Sequence, residues 1–280
     1  MKIDQYPIRL DVYVSKIKKN MSRAVAAKLI KDNSVLVNNL PVNKPSMLIK
    51  ESDKVKINTK IKLIKTKKLN IPVIYEDEDC VVINKPSGVL SHSKGEYNEE
   101  GSVATWLSDK VVGLKGNRAG IVHRLDRPTS GLMICAKNKD ALNWLQKQFA
   151  DKKVKKSYMA IVVGSNLDKH FIIKLPIERN PKKPSSFRVG KFGKKAETEC
   201  EVIKTNEKYS LVKLTPKTGR THQLRVHMSY IGHPILGDLT YSKTKADRLY
   251  LHAIFLELIL PNRKLTSFNL GLPKEFNTII

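Results

Sequence analysis

Cysteine is scarce in this chain. Cys80, Cys135 and Cys200 stand far apart, with no C-x-x-C pair among them. Disulfide scaffolds and zinc ribbons need cysteines paired at short spacing, so neither is expected. Long hydrophobic runs are missing too. No stretch reaches the length of a bilayer span, and the opening MKIDQYPIRL has no apolar signal-peptide core. These absences predict a soluble, cytosolic protein with no membrane partner. Glycine and proline, at 14 and 13 in 280 residues, are too sparse for wholesale disorder. There is no G-x-x-x-x-G-K-[ST] loop and no strand–GxGxxG–helix unit, so no nucleotide cofactor is expected. The G-x-S-x-G elbow is absent, and His123, Asp126 and Ser130 crowd one short loop, unlike a hydrolytic triad. His222 and His227 lie five apart, which on a helix turns them away from a shared ion. No metal site is expected, and His227 and His233 read as structural.

Acidic residues are also in short supply, 26 against 52 lysines and arginines, for a net charge of +26. A folded chain this basic meets a polyanion, because released counterions drive such binding. A solvated basic surface accounts for part of the excess but not for its distribution. Residues 1–68 carry 17 Lys/Arg and 5 Asp/Glu, while the other 212 carry 35 and 21.

The lysine-rich run TKIKLIKTKK, residues 59–68, lacks core periodicity and reads as a linker between a head (1–58) and a body (69–280). In the head, Leu10, Val14 and Ile17 predict a short amphipathic helix over 10–18. Ser22 predicts an N-cap for a second helix over 23–31, with Val25 and Leu29 inward and Arg23, Ala27 and Lys31 on one face. Val35 and Val37 alternate as in a strand that Asn38–Asn39 turns back, and Val55 and Ile57 form another alternating pair. The string SRxxAxxLIxxxxVxVN, Ser22 to Asn38, resembles the S4 RNA-binding module, whose second helix meets RNA phosphates; the resemblance implies RNA contacts for Arg23 and Lys31.

In the body, strands are predicted at 71–75, 80–83, 132–136, 157–163, 199–203, 210–214 and 250–258. Helices are predicted after Ala136, with Leu142, Leu145 and Phe149 inward, and over 221–231, ended by Gly232 and Pro234. Strands outnumber helices without alternating regularly with them. The fold class is therefore α+β around a largely antiparallel sheet, with a small αα-hairpin head.

One segment concentrates chemistry. HRLDRPTSGL, His123 to Leu132, packs charge against apolar strand, which is costly unless the charge is paired or used. Arg124 and Asp126 project to one side of extended chain; Pro128 and Gly131 set a turn whose backbone Thr129 and Ser130 can bond. By itself R-x-D reads as an ion pair bracing a loop. The whole string, however, closely resembles the central motif of the RluA-type pseudouridine synthases. Further resemblances follow in that family's order: IYEDED with NKPSG, KSY at 156–158, TGRTHQLRVH with GHPILGD at 218–238, and LHA at 251–253. Together they span residues 69–273. The Arg127–Pro128 pair departs from many members without removing a reactive group.

The resemblance implies an RNA isomerase with no cofactor. The N1–C1′ bond of uridine breaks and is remade from C5, which requires a nucleophilic or ion-stabilising carboxylate and a dry pocket. Asp126 is the implied carboxylate; whether it meets sugar or base stays open. It must remain ionised, so a cation is required, and Arg225 is expected to pair with it bidentately. Arg220 is the second candidate for that pairing and is otherwise expected to face phosphate. Tyr158 is implied to offer its ring to the uracil and its hydroxyl to a proton relay. Base flipping is expected, with Arg124 filling the vacated position or holding phosphate. An S4 head on this family implies 23S-type large-subunit ribosomal RNA or an assembly intermediate, bound by a monomer. Two rivals are an inactive S4-bearing ribosome-assembly factor and an RNA hydrolase using His123 and Asp126.

Overall fold

The computed structural model describes residues 5–18, 21–58, 69–93 and 100–280; the basic linker read at 59–68 lies outside them. The head contains β1 (Ile8–Arg9), α1 (Leu10–Ile17), α2 (Arg23–Lys31), β2 (Val35–Val37), β3 (Leu40–Val42), β4 (Leu48–Ile49) and β5 (Val55–Ile57). Ser22 caps α2, its hydroxyl accepting the Val25 N–H at 3.3 Å. The inward line of α2 is Ala26 and Ile30; Val25 and Leu29 flank it half-buried, a rotation of one position from the sequence expectation. The hairpin β2–β3 turns at Asn38 and Asn39, with φ of 53° and 69°, values that asparagine tolerates and that match the twist of the strands. Leu10, Val14, Ala26, Ile30, Val35, Val37 and Ile49 form the head's own small core.

The body runs β6 (Val73–Glu76), β7 (Cys80–Lys85), α3 (Val103–Trp106), β8 (Ser130–Ala136), α4 (Lys139–Ala150), β9 (Lys155–Val163), β10 (His170–Ile173), β11 (Ile177–Arg179), β12 (Phe187–Val189), β13 (Thr198–Thr205), β14 (Tyr209–Pro216), α5 (Gln223–Tyr230), β15 (Leu251–Ile259), β16 (Leu265–Asn269) and α6 (Lys274–Asn277). Its sheet has the order β10-β13-β14-β9-β15-β8-β7-β6, with β16 also pairing β15. All of these pairings are antiparallel except β15–β8.

That parallel contact is a seam. Only Ser130 and Gly131 of β8 meet β15, at His252 and Ala253; beyond the irregularity at 253–255 the same edge of β15 pairs with β16. Gly131 has φ of 111°, and a Cβ there would run into the Ala253 backbone, so only glycine lets the strands approach. On one side of the seam, β7 and β8 share with α4 a core that takes in Val82, Ile83, Met133, Ile134, Ala141 and Leu145. On the other, β9 and β14 pack Ala160, Val162, Val212 and Leu214 against α5 through Leu224 and Met228. Each fully buried aliphatic side chain contributes ~1.5–3 kcal/mol, so two separate cores hold the halves and the seam aligns them.

Three expectations are corrected here. Helix α5 starts at Gln223 rather than at 221, because His222 is left-handed, with φ of 58°. The stretch after 258, for which no element is expected from the sequence, carries β16 and α6. Ser130 does not bond the backbone of its turn: its hydroxyl meets His252 Nδ1 at 2.7 Å and accepts from Arg248.

Candidate active site

The loop ahead of β8 is fastened on every side. His123 is a wedge beneath it: Nε2 accepts the Ile134 N–H at 3.1 Å and the ring stacks on Phe149 at 4.4 Å. Burial, reinforced by the Lys156 charge, pushes the imidazole pKa down to about 3. His123 is therefore neutral, with an occupied nitrogen, and has no base to offer a hydrolase. Ser91 ties the Leu125 backbone, donating to its carbonyl at 2.7 Å and accepting its N–H at 3.1 Å. Asp126 closes the turn through its carbonyl, which accepts the Thr129 N–H at 3.0 Å.

Lys85 sits under this loop with no exposed surface. Its ammonium donates to the carbonyls of Pro86 at 2.9 Å, Val89 at 2.7 Å and Arg127 at 3.2 Å. Burial pushes its pKa down to about 7, and the nearby Asp126 charge opposes that fall. Ser87 adds a hydrogen bond to the Pro128 carbonyl at 2.8 Å. The KPSG turn and the Asp126 loop thus form one braced unit, with Asp126 projecting from it.

The facing wall is the start of α5. Arg225 is buried, and its fork is directed at Asp238: Nε donates to Oδ2 at 2.7 Å and Nη2 to Oδ1 at 2.8 Å. Asp126 receives a single N–H, from Nη1 to Oδ2 at 3.1 Å. The bidentate pairing expected for Asp126 therefore belongs to Asp238, and the geometry explains why. Asp238 is fully buried and also accepts the Thr240 and Tyr241 N–H groups, so it locks the guanidinium in plane. Asp126 stays one-quarter exposed, and among the described residues no hydrogen bond reaches its Oδ1. Burial works against the charge of Arg225, but the hydrogen bonds and charges of Asp238 and Asp126 outweigh it and raise its pKa.

Tyr158 lies on β9 opposite Ala253 and Leu214 and lines the cleft that holds Asp126. Burial and then the Asp126 charge raise its phenol pKa, so the hydroxyl keeps its proton. Arg124 is exposed and lines the same cleft, as do Arg220 and His222. Arg220 donates Nε to the Lys195 carbonyl at 3.0 Å. In the head, Lys31 is exposed, whereas Arg23 donates Nε to Asp11 Oδ2 at 3.1 Å, sharing that buried carboxylate with Arg9. His227 and His233 do hold structure: His227 bridges Thr198 Oγ1 and the Leu175 carbonyl at 2.9 Å each, and His233 meets the Val163 carbonyl at 2.9 Å. Sequence reasoning missed Asp238, Lys85 and His222 as site residues. The signal for Asp238 was its place in GHPILGD, a buried carboxylate in search of a cation.

Among the described residues no group of His, Cys, Asp and Glu could hold a metal ion, and no helix is long and apolar enough to cross a membrane. The arrangement leaves a carboxylate with one oxygen held and one free, in a cleft edged by arginines and a tyrosine.

Known proteins resemble both the head and the body of this chain. The profile described as RNA pseudouridylate synthase matches residues 79–230, and that of the S4 domain matches residues 8–55. A ribosomal large subunit pseudouridine synthase D from Borreliella burgdorferi is 41% identical over 248 residues, covering 84% of this chain and 75% of the relative. A protein of Aquifex aeolicus described as an uncharacterized RNA pseudouridine synthase is 39% identical over 249 residues, covering 86% and 78%. Among solved structures, human RNA pseudouridylate synthase domain containing 1 superposes with a TM-score of 0.62 at 29% identity, covering 73% of this chain and 84% of that one. On the strength of these matches the chain belongs to the RNA pseudouridylate synthase family, isomerases that convert uridine in RNA to pseudouridine, and it carries an S4 domain ahead of the catalytic body.

Proposed function

We propose that this enzyme isomerises uridines of large-subunit ribosomal RNA, with Asp126 as the reacting carboxylate, Arg225 as its cation and Tyr158 against the uracil. The observation that carries the reading is the asymmetry of Asp126: Oδ2 takes the Arg225 N–H while Oδ1 has no partner among the described residues. A carboxylate held at one oxygen keeps its charge and presents the other to a nucleotide. As the N1–C1′ bond breaks and C5 bonds to C1′, N1 gains a proton and C5 loses one, so nothing is oxidised or reduced. Tyr158, which lines the same cleft and keeps its hydroxyl proton, serves in that transfer.

The target must leave its stack to reach Asp126, and Arg124, exposed two residues away, fills the vacated position or holds phosphate. Arg220 faces the backbone. The ribosomal target is supported by the name of the Borreliella burgdorferi relative. We read residues 1–58 as the part that grips structured RNA through Lys31 and Arg23, 59–68 as a basic tether and 69–280 as the catalytic body, working as a soluble monomer in the cytoplasm. The test is tritium release from large-subunit ribosomal RNA labelled at uridine C5, made as an unmodified transcript. The wild type is expected to release tritium. Asp126→Asn, nearly isosteric, is expected to bind the transcript and release none. Substantial turnover by that variant refutes the assignment.

A further inference from the structure

His222 is held in a conformation that histidine seldom adopts, with φ of 58° and ψ of 17°, at the residue before α5. A non-glycine residue in the left-handed region costs of order 1 kcal/mol or more and persists only where its surroundings impose it. The surroundings are specific. The ring packs edge-on to Phe187 and Tyr241, at 5.5 and 5.6 Å between centroids. Its Nδ1 is 2.7 Å from the Tyr241 hydroxyl oxygen, and that oxygen already accepts the Phe187 N–H at 2.8 Å.

Proton accounting then settles the tautomer. Tyr241 has one proton to give, and among the described residues Nδ1 is the acceptor recorded for it, so with the Phe187 N–H accepted its O–H donates to Nδ1. Burial raises the Tyr241 pKa, so the phenol retains that proton. A neutral imidazole whose Nδ1 accepts must carry its hydrogen on Nε2. The charged groups facing His222 are Asp126, Arg225, Asp238 and Arg124; burial, the dominant influence, pushes its pKa down. Nε2 lies 3.8 Å from Asp126 Oδ2, the oxygen that already takes the Arg225 N–H. That distance is too long for a hydrogen bond in the free enzyme, but catalytic contacts of this kind tighten when substrate binds.

We propose that His222, neutral and protonated on Nε2, is a positioning residue that with Arg225 holds Asp126 Oδ2 from two sides, so that Oδ1 faces the nucleotide. A neutral donor suits this task. It restrains the direction of the carboxylate without adding a second cation, which would over-stabilise the anion and blunt its reactivity. The inference rests on Asp126 as the reacting carboxylate.

Two substitutions separate positioning from mere structure. In His222→Asn the side-chain oxygen replaces Nδ1, keeps the Tyr241 bond and suits the left-handed backbone, but no donor reaches Asp126. His222→Gln keeps an N–H near the Nε2 position and loses the Tyr241 acceptor. On the labelled ribosomal transcript, full-length His222→Asn is expected to lose kcat by roughly ten- to a hundredfold with little change in KM, the size of one hydrogen bond to a charged group. His222→Gln is expected to stay within about threefold of wild type, since the replaced donor is of similar strength. The reverse order would overturn the proposal. A second readout needs no turnover: ring 15N shifts of the wild type at neutral pH, with His222 assigned through its loss in His222→Asn. The protonated-Nε2 tautomer is expected; a protonated Nδ1 or an imidazolium overturns the proposal. Wild-type protein inert on the transcript would overturn the ribosomal target, while the ring tautomer would still decide His222.

Discussion

Asp238 and Asp126 both touch Arg225, yet isosteric amides at the two positions should have opposite consequences. Asp238 has no exposed side-chain surface, receives two of the three guanidinium hydrogen bonds, at 2.7 and 2.8 Å, and accepts two backbone N–H groups. In Asp238→Asn the remaining oxygen can stay with the Thr240 and Tyr241 amides, which turns an NH2 group towards Arg225 Nε. A buried guanidinium then loses its neutralising charge and half of its fork. Removing one partner of a buried ion pair costs about 3–5 kcal/mol. Asp126 is one-quarter exposed and receives one bond, at 3.1 Å. Its replacement by asparagine should change stability by about 1 kcal/mol or less. Urea unfolding of wild type and both variants, followed by far-UV circular dichroism, measures the difference. Asp238→Asn is expected to lower the unfolding midpoint clearly and to reduce turnover as the guanidinium re-aims, whereas Asp126→Asn abolishes turnover at near-native stability. Equal destabilisation would refute the division of labour between the two carboxylates.

Arg225→Lys keeps a charge but cannot serve Asp238 and Asp126 together, so it should lower kcat more than it weakens RNA binding; a larger kcat loss in Arg220→Lys would contradict this. Removing residues 1–68, which carry 17 of the 52 lysines and arginines, should make the dependence of log K on log salt shallower on structured RNA. An unchanged slope would mean that the head's charge is only solvated surface. His123 is held neutral with its pKa pushed down to about 3 from 6.5, so the unfolded chain binds the extra proton between those values. Stability from this site is complete above pH 6.5 and falls as pH drops towards 3, by up to ~1.4 kcal/mol per pH unit. His252, pushed down to about 4 mainly by burial, acts in the same direction. A urea midpoint that does not fall below pH 6 would contradict both.

What the sequence determined by itself was local. The spacing of Leu10, Val14 and Ile17 specifies a helix because 3.6-residue periodicity places apolar groups on one side. Ser22 and the Asn38–Asn39 pair end or turn their elements through their own side-chain and backbone chemistry. HRLDRPTSGL concentrates charge within ten residues, and its resemblance to the family's central motif is what singles out Asp126. Short strands such as β10, β11 and β12, of three or four residues, were not legible, because so few positions carry no usable alternation.

The tertiary structure decided which partner each charge found. Arg225 lies 99 residues from Asp126 but only 13 from Asp238, and both carboxylates satisfy the same chemical requirement on paper. The fork went to Asp238 because the chain after α5 folds back and buries that carboxylate completely, where only a bidentate cation offsets the loss of water. The same closure pinned the tautomer of His222 through Tyr241, a hydroxyl 19 residues away, and placed Lys85 under a loop 42 residues on. Periodicity records which face of an element is apolar; the direction of a hydrogen bond is settled only when distant segments pack and water leaves.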